Sequence, residues 1–303
     1  MTARTLPAGM RLLVTGALGG LGRWVVADLA AAGHDVIAVD RDRPTGRHRT
    51  VDFVAADLAR DGVARELCTE RRPDAVVHLA AIPTDGVAPG SEIVRTNVAA
   101  TYNVLSAAGA VDAPAVWTSS ESVLGSVFAP EPWLPDSLPV DESHPTRPAD
   151  PYGLSKVAGE EVAKMVARRY GTTTISLRPS WVTFPGAGVI TDVQDRFDLT
   201  TAEPNGNFWT HVDVRDVVSA IRAALEADVD GHEAYYLAAD RNFLGIPTRE
   251  LVETTFGGLP DDCELEGEAS AFSTAKAERE LGWQPAHGWR DAEGEEPFEP
   301  TIE

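Results

Sequence analysis

The sequence predicts an α/β fold, a doubly wound parallel sheet carrying a small C-terminal substrate-binding lobe, and three observations predict it. Short apolar runs alternate with helical stretches through the first part of the chain. A glycine-rich turn, Thr15-Gly16-Ala17-Leu18-Gly19-Gly20-Leu21-Gly22, follows the first such run. Past Arg178 the regular alternation loosens, and residues 185–207 are rich in Gly, Pro, Asp and Thr.

The elements are expected as follows. Arg11–Thr15 is the first strand, and Gly19–Ala32 the first helix, closed by Gly33. Asp35–Asp40 is a second strand ending in an acid, and Val51–Val54 a short third one. Asp57 leads into a helical stretch to Arg71, Asp74–Leu79 is the fourth strand, and Glu92–Ala108 a long helix. Ala115–Ser119 is the fifth strand, and Thr173–Leu177, beyond an Ala- and Glu-rich helix at Tyr152, the sixth. Val214–Leu225 is a helix, Ala234–Ala238 a strand, and Pro247–Phe256 and Ala271–Leu281 are helices. The acidic end, Asp291–Glu303, is expected to fray. Residues 1–180 would bind a dinucleotide, with 211–240 returning to that unit. Residues 181–210 and 241–303 would form the small lobe.

Composition excludes several functions. The chain of 303 residues has a net charge of −21, whereas nucleic-acid binding needs a basic footprint. No run approaches the ~20 apolar residues that span a bilayer, and Met1–Met10 lacks the apolar core of a signal peptide, so a soluble cytoplasmic protein is expected. Cys68 and Cys263 belong to no metal-ligand spacing, so no metal is expected. Lysine occurs only at Lys156, Lys164 and Lys276 among 26 basic residues. That acidic, lysine-poor surface resembles proteins of salt-accumulating halophiles, with a GC-rich genome as the other explanation.

The glycine turn has the layout of a Rossmann-type dinucleotide site. Gly16 allows the tight turn, Gly19 or Gly20 lets the backbone approach a pyrophosphate, and Gly22 allows close helix–strand packing. Asp40 would accept both ribose hydroxyls of NAD and repel a 2′-phosphate. Either Arg41 or Arg43 can turn toward such a phosphate, so NAD is favoured and NADP stays open. Tyr152 and Lys156 are four residues apart and share one helix face. A free phenol has a pKa of about 10, and a neighbouring cation lowers it, so the pair suits proton transfer during hydride transfer.

These residues resemble the short-chain dehydrogenase/reductases. The extended branch, with its nucleotide-sugar epimerases and dehydratases, is matched by Asp57-Leu58, His78-Leu79-Ala80-Ala81, Thr96-Asn97-Val98 and Ser119-Ser120-Glu121-Ser122-Val123-Leu124-Gly125. Further matches are Tyr152-Gly153-Leu154-Ser155-Lys156, Leu177-Arg178-Pro179, His211-Val212-Asp213 and Leu281-Gly282-Trp283-Gln284-Pro285. The resemblance implies that Tyr152 is the base, Lys156 its electrostatic partner and ribose ligand, and Ser120 the substrate-orienting hydroxyl. It implies that Asp57 and Leu58 flank the adenine, and that Leu79, Ala80 and Ala81 line the cofactor cleft beside Leu21. Asn97 would steady the catalytic helix and cofactor pocket, and Pro179 to Val182 would face the nicotinamide amide.

Departures from that pattern bear on the substrate. Leu177–His211 is short and carries only Arg178 and Arg196 as cations, too few for a diphosphate. The short segment resembles uronate dehydrogenases, and Asn207-Phe208-Trp209-Thr210-His211 resembles their Trp-containing run. The arginine that precedes that run in those enzymes is replaced here by Glu203-Pro204-Asn205-Gly206. The expected activity is NAD(P)-dependent oxidation of a neutral aldose, such as L-arabinose or a hexose, at C1 to the lactone. Glu121, Ser122 and Trp209 would join Ser120 and Tyr152 around the sugar, with Trp133 and Trp209 as its apolar floor, and a charged Glu121 would repel a uronate. Alternatives are a nucleotide-sugar 4-epimerase or dehydratase, a uronate dehydrogenase, and a dinucleotide-binding protein without turnover. A homo-oligomer, dimer or tetramer, is expected.

Overall fold

A computed structural model describes residues 7, 9–44, 51–186, 188–292 and 295–300. Seven strands form one parallel sheet: β1 (Arg11–Thr15), β2 (Asp35–Asp40), β3 (Val51–Ala55), β4 (Ala75–His78), β5 (Ala115–Thr118), β7 (Thr174–Pro179) and β10 (His232–Leu237). Their order is β10-β7-β5-β4-β1-β2-β3, so the winding reverses between β1 and β4. Ligands of such sheets bind at that reversal, outside the carboxyl ends of the strands.

The strands read as continuous apolar runs because both faces are covered. Leu12, Val14, Val36, Ala38 and Val77 point to one face, where Val25 and Leu29 of α1 (Gly20–Ala31) and Val217 and Ile221 of α6 (Val214–Glu226) cover them. Leu13, Ile37, Val39 and Val76 point to the other. There they meet Cys68 of α2 (Val63–Arg71), Val104 and Leu105 of α3 (Gly90–Ala110), and Ala163 and Val166 of α4 (Pro151–Tyr170). Each such buried aliphatic side chain contributes roughly 1.5–3 kcal/mol over an exposed one.

A third cluster joins Leu124 and Leu138 to Phe208, Trp209, Phe243, Leu251 and Phe272. It packs around α7 (Thr248–Phe256) and two small parallel pairs. These are β6 (Ser137–Leu138) with β11 (Asp262–Cys263), and β8 (Trp181–Thr183) with β9 (His211–Asp213). The second pair folds the irregular stretch, including α5 (Val189–Gln194), back onto the end of β7.

Several expectations are corrected. The helix expected from Ala271 begins at Ala275, as α8 (Ala275–Leu281), because Ala269 and Phe272 bridge to Arg241 and Val140. The stretch after Asp57 becomes helical only at Val63, and β7 runs on to Pro179. What is described of the acidic tail docks instead of fraying. Glu295 accepts from Arg215 at 3.0 Å, and Phe298 meets Trp24 edge-on at 5.5 Å. Of the Met1–Met10 stretch, Met1–Leu6 and Ala8 lie outside the described residues. Among the described residues, no helix is long and apolar enough to cross a membrane, and no group of three or more His, Cys, Asp or Glu side chains is placed to hold a metal.

Candidate active site

A cleft of about 1310 Å³ runs along the carboxyl ends of the strands at the β1–β4 reversal. Single-ligand pockets span roughly 300–1,000 Å³, so this volume suits a dinucleotide together with a second molecule. Gly16, Gly19, Gly20, Leu21 and Gly22 line one wall, with Asp40, Arg41, Asp57, Leu58, Leu79, Ala80 and Ala81 beside them.

The glycines are required sterically. A Cβ on Gly22 would lie 2.0 Å from the Gly16 carbonyl oxygen, and one on Gly16, where φ is +68°, would meet Ala80 N at 2.7 Å. The amino end of α1 has no side-chain cap and no acid in its first turn, which leaves amide donors and positive potential for a phosphate. Asp40 braces this wall, accepting from Leu18 N at 2.9 Å and Arg41 N at 2.7 Å. Asp57 accepts from Ala59 N at 3.1 Å, closing the turn that carries buried Leu58. The residues present therefore fit a dinucleotide.

Ser120, Tyr152 and Lys156 meet at the centre of the cleft. Asp150 caps α4 by accepting from Gly153 N at 2.7 Å, and Pro151 sits in the first turn. A Cβ on Gly159 would stand 2.5 Å from the Trp117 ring, so α4 lies directly against β5. Lys156 Nζ donates to Thr118 O at 2.8 Å and lies 5.3 Å from the Tyr152 ring centroid.

The expected lowering of the phenol is not found. Burial pushes Tyr152 up to about 12; the Ser120 hydrogen bond pulls it down, while Glu121 and Asp150 push it up. Burial likewise brings Lys156 down to about 7, opposed by Glu160. Desolvation outweighs the pairing of these two groups.

The other expected site residues divide. Pro179 and Val182 line the cleft, as does Glu121. Asn97 does not. It is buried, accepts from Ile82 N at 2.7 Å and donates to Ile82 O and Ser155 Oγ at 3.1 Å each, tying the wall beyond β4 to α4. Ser122 is buried in the turn after Ser120, its amide donating to Ser120 Oγ at 3.2 Å, and does not reach the cleft. Trp209 is 3 % exposed in the lobe core, and Trp133 stacks on His144. Neither tryptophan forms the expected floor. Phe128, Trp181 and Phe243 line the cleft instead, with Asn205 and Asn207. The Asn205-Gly206-Asn207 turn composition was the available signal for the polar pair, whereas nothing in sequence marked Phe128.

The expected negative charge at Glu121 is also corrected. Burial pushes it up to about 8, against hydrogen bonds from Thr210, Asn207 and the Trp181 amide, so burial favours its neutral form. Arg178 supplies no substrate clamp, because its Nε and Nη2 each donate to Glu160 at 2.8 Å inside the protein. Among the described residues that line the cleft, Arg41 and Lys156 are the only basic ones.

A parallel sheet with a glycine turn at its reversal and a Ser-Tyr-Lys set in one cleft defines a Rossmann-type, nicotinamide-dependent enzyme. The chain belongs to the NAD-dependent epimerase/dehydratase family, whose model matches residues 12–238. It is 34 % identical over 178 residues to an L-arabinose 1-dehydrogenase (NAD(P)+) of Haloferax volcanii, covering 57 % of this chain and 67 % of that protein. It is 29 % identical over 306 residues to a UDP-glucose 4-epimerase of Mycolicibacterium smegmatis, covering 91 % and 94 %. A UDP-glucose 4-epimerase solved with UDP-glucose, from Thermotoga maritima, superposes with a TM-score of 0.69 at 25 % identity, covering 93 % of this chain and 96 % of that one.

Proposed function

We propose that this enzyme is an NAD(P)-dependent sugar 1-dehydrogenase that oxidises a free, neutral aldose, such as L-arabinose or a hexose, to its aldonolactone. The observation that carries this reading is the substrate end of the cleft. Ser120, neutral Glu121, Asn205 and Asn207 offer hydrogen bonds beside the apolar Phe128, Trp181 and Phe243, and no guanidinium lines that end. Hydroxyl-rich, uncharged rings suit such a surface, whereas a diphosphate or a uronate calls for a cationic clamp. The Haloferax relative's activity supports the same choice.

A bound nicotinamide dinucleotide supplies the hydride acceptor. Ser120 holds the C1 hydroxyl, and Tyr152 accepts its proton while the C1 hydrogen leaves with its electron pair, so that C1–O becomes the lactone carbonyl. In its protonated form Lys156 places a positive charge beside the Tyr152 ring, where it favours the phenolate. Its bond to Thr118 O fixes the ammonium beside the Tyr152 ring.

A second reading, a nucleotide-sugar 4-epimerase, is favoured by the near full-length match to the Mycolicibacterium epimerase. Incubating the enzyme with free aldoses, uronates and UDP-sugars, and following NAD(P)H absorbance, separates the two. Net reduction with a free aldose supports the dehydrogenase. Conversion of a UDP-sugar without net reduction, and inertness of every free aldose, refutes it.

A further inference from the structure

The substrate end of the cleft holds a buried acid that the proton and hydride steps above do not use. Glu121 directly follows Ser120, lines the cleft and is 5 % exposed. It is held between two segments of the lobe: the Trp181 amide at the start of β8, and the Asn207 and Thr210 side chains ahead of β9. Phe208 and Trp209, both with left-handed φ of 53° and 56°, bury their rings in the lobe core and so fix Asn207 and Thr210 on either side.

The Trp181 amide and the Asn207 side chain donate to Glu121 and favour its charged form, so the contact that bears on a retained proton is the one with Thr210. A threonine hydroxyl has one proton to donate. Thr210 gives its proton to Asn207 O at 2.7 Å, while Thr210 Oγ1 also lies 3.3 Å from Glu121 Oε2. That second contact is satisfied when the proton on it belongs to Glu121. Burial acts in the same direction, raising the carboxyl to about 8. The titratable group facing it is Tyr152, whose phenol a Glu121 charge would push further up.

We propose that Glu121 serves the substrate as a neutral carboxylic acid, donating its proton to a sugar hydroxyl and thereby selecting a hydroxylated ring at this position. Thr210 Oγ1, 3.3 Å from Glu121 Oε2, is the protein's own acceptor for the same proton. Kept neutral, the acid recognises the sugar without placing a charge beside Tyr152 that would oppose proton transfer. This inference rests on the reading that a monosaccharide ring occupies this end of the cleft.

The test compares wild type, E121Q and E121A from about pH 6 to about pH 10. L-Arabinose and analogues each lacking one hydroxyl are the probes, with the dinucleotide KM as a control. Wild-type kcat/KM should fall as pH rises through about 8. E121Q keeps a donor but cannot ionise, so it should lack that fall, with a loss at neutral pH of no more than about threefold. E121A should raise the sugar KM about 10- to 100-fold, leave the dinucleotide KM in place, and lose the preference against one deoxy analogue. A loss in E121Q at neutral pH as large as in E121A would overturn the proposal, as would an E121A enzyme that still ranks the analogues as wild type does.

Melting temperature gives a second readout. A carboxyl raised from 4.5 to about 8 makes folding take up a proton, so its contribution is full below pH 4.5 and lost as pH rises to about 8. E121Q should therefore gain stability relative to wild type across that window, and a constant difference would contradict the neutral acid. If wild type turns over UDP-glucose and no free aldose, the proposed function fails. The same variants tested on UDP-glucose and its deoxy analogues then decide the role of Glu121.

Discussion

A Cβ on Gly153 would stand 2.7 Å from the carbonyl oxygen of Ser122, so the first turn of α4 touches the Ser120 turn backbone to backbone. This contact sets the separation between the hydroxyl of Ser120 and the phenol of Tyr152. A side chain at residue 153 would force the two segments apart.

Gly153→Ala should thus act on catalysis more than on folding. We expect kcat to fall about 10- to 100-fold, in keeping with the cost of roughly 1 Å misplacements in active sites. The accompanying loss of stability should be about 1–3 kcal/mol. Steady-state kinetics and a denaturation curve measure both. Wild-type kcat in the alanine variant would show that the contact does not position the site.

Tyr152→Phe removes the proposed proton acceptor and keeps the ring that packs against Phe128 and Lys156. Turnover should drop about 10²- to 10⁴-fold, the usual contribution of a positioned acid–base group. Dinucleotide affinity, followed by fluorescence titration, should stay within about threefold. A variant with near-normal kcat would remove Tyr152 from the chemistry.

Asp40 sits where a ribose would end and also braces Leu18 N. We expect Asp40→Ala to weaken NAD and to improve NADP relative to NAD, because the charge that repels a 2′-phosphate is gone while Arg41 remains. The ratio of kcat/KM values for the two cofactors measures the change. A wild-type enzyme that strongly prefers NADP would contradict the assignment of Asp40.

The net charge of −21 should make stability depend on salt. Like charges repel over a Debye length of roughly 30 Å at 0.01 M and about 3 Å at 1 M. The melting temperature is expected to rise with salt up to molar concentrations. An unchanged value in dilute buffer would reject adaptation of this surface to high salt.

The central sheet was legible in sequence because most of its strands are continuous apolar runs and several, β1, β3 and β4 among them, are followed directly by a helix. The glycine turn was legible because steric demand at Gly16 and Gly22 leaves no other residue. The lobe was not. β8 and β9 are three residues each, too short to show a period, and their pairing spans the irregular stretch between them. Trp209 was misplaced for a related reason. Its left-handed backbone turns the ring into the core, and no composition rule announces a positive φ at a tryptophan. At Glu121 the sequence displays a carboxylate, but its charge depends on burial, opposed by hydrogen bonds from Trp181, Asn207 and Thr210, which the fold brings from far along the chain.

Isotope transfer from C1 tests the proposed reaction most directly. L-Arabinose deuterated at C1, incubated with the enzyme and oxidised dinucleotide, should yield lactone and a deuterated reduced cofactor in equal amounts. Hexoses deuterated at C1 serve the same test. No transfer from any of these sugars, together with conversion of UDP-glucose to its 4-epimer and no accumulated reduced cofactor, would contradict the sugar 1-dehydrogenase.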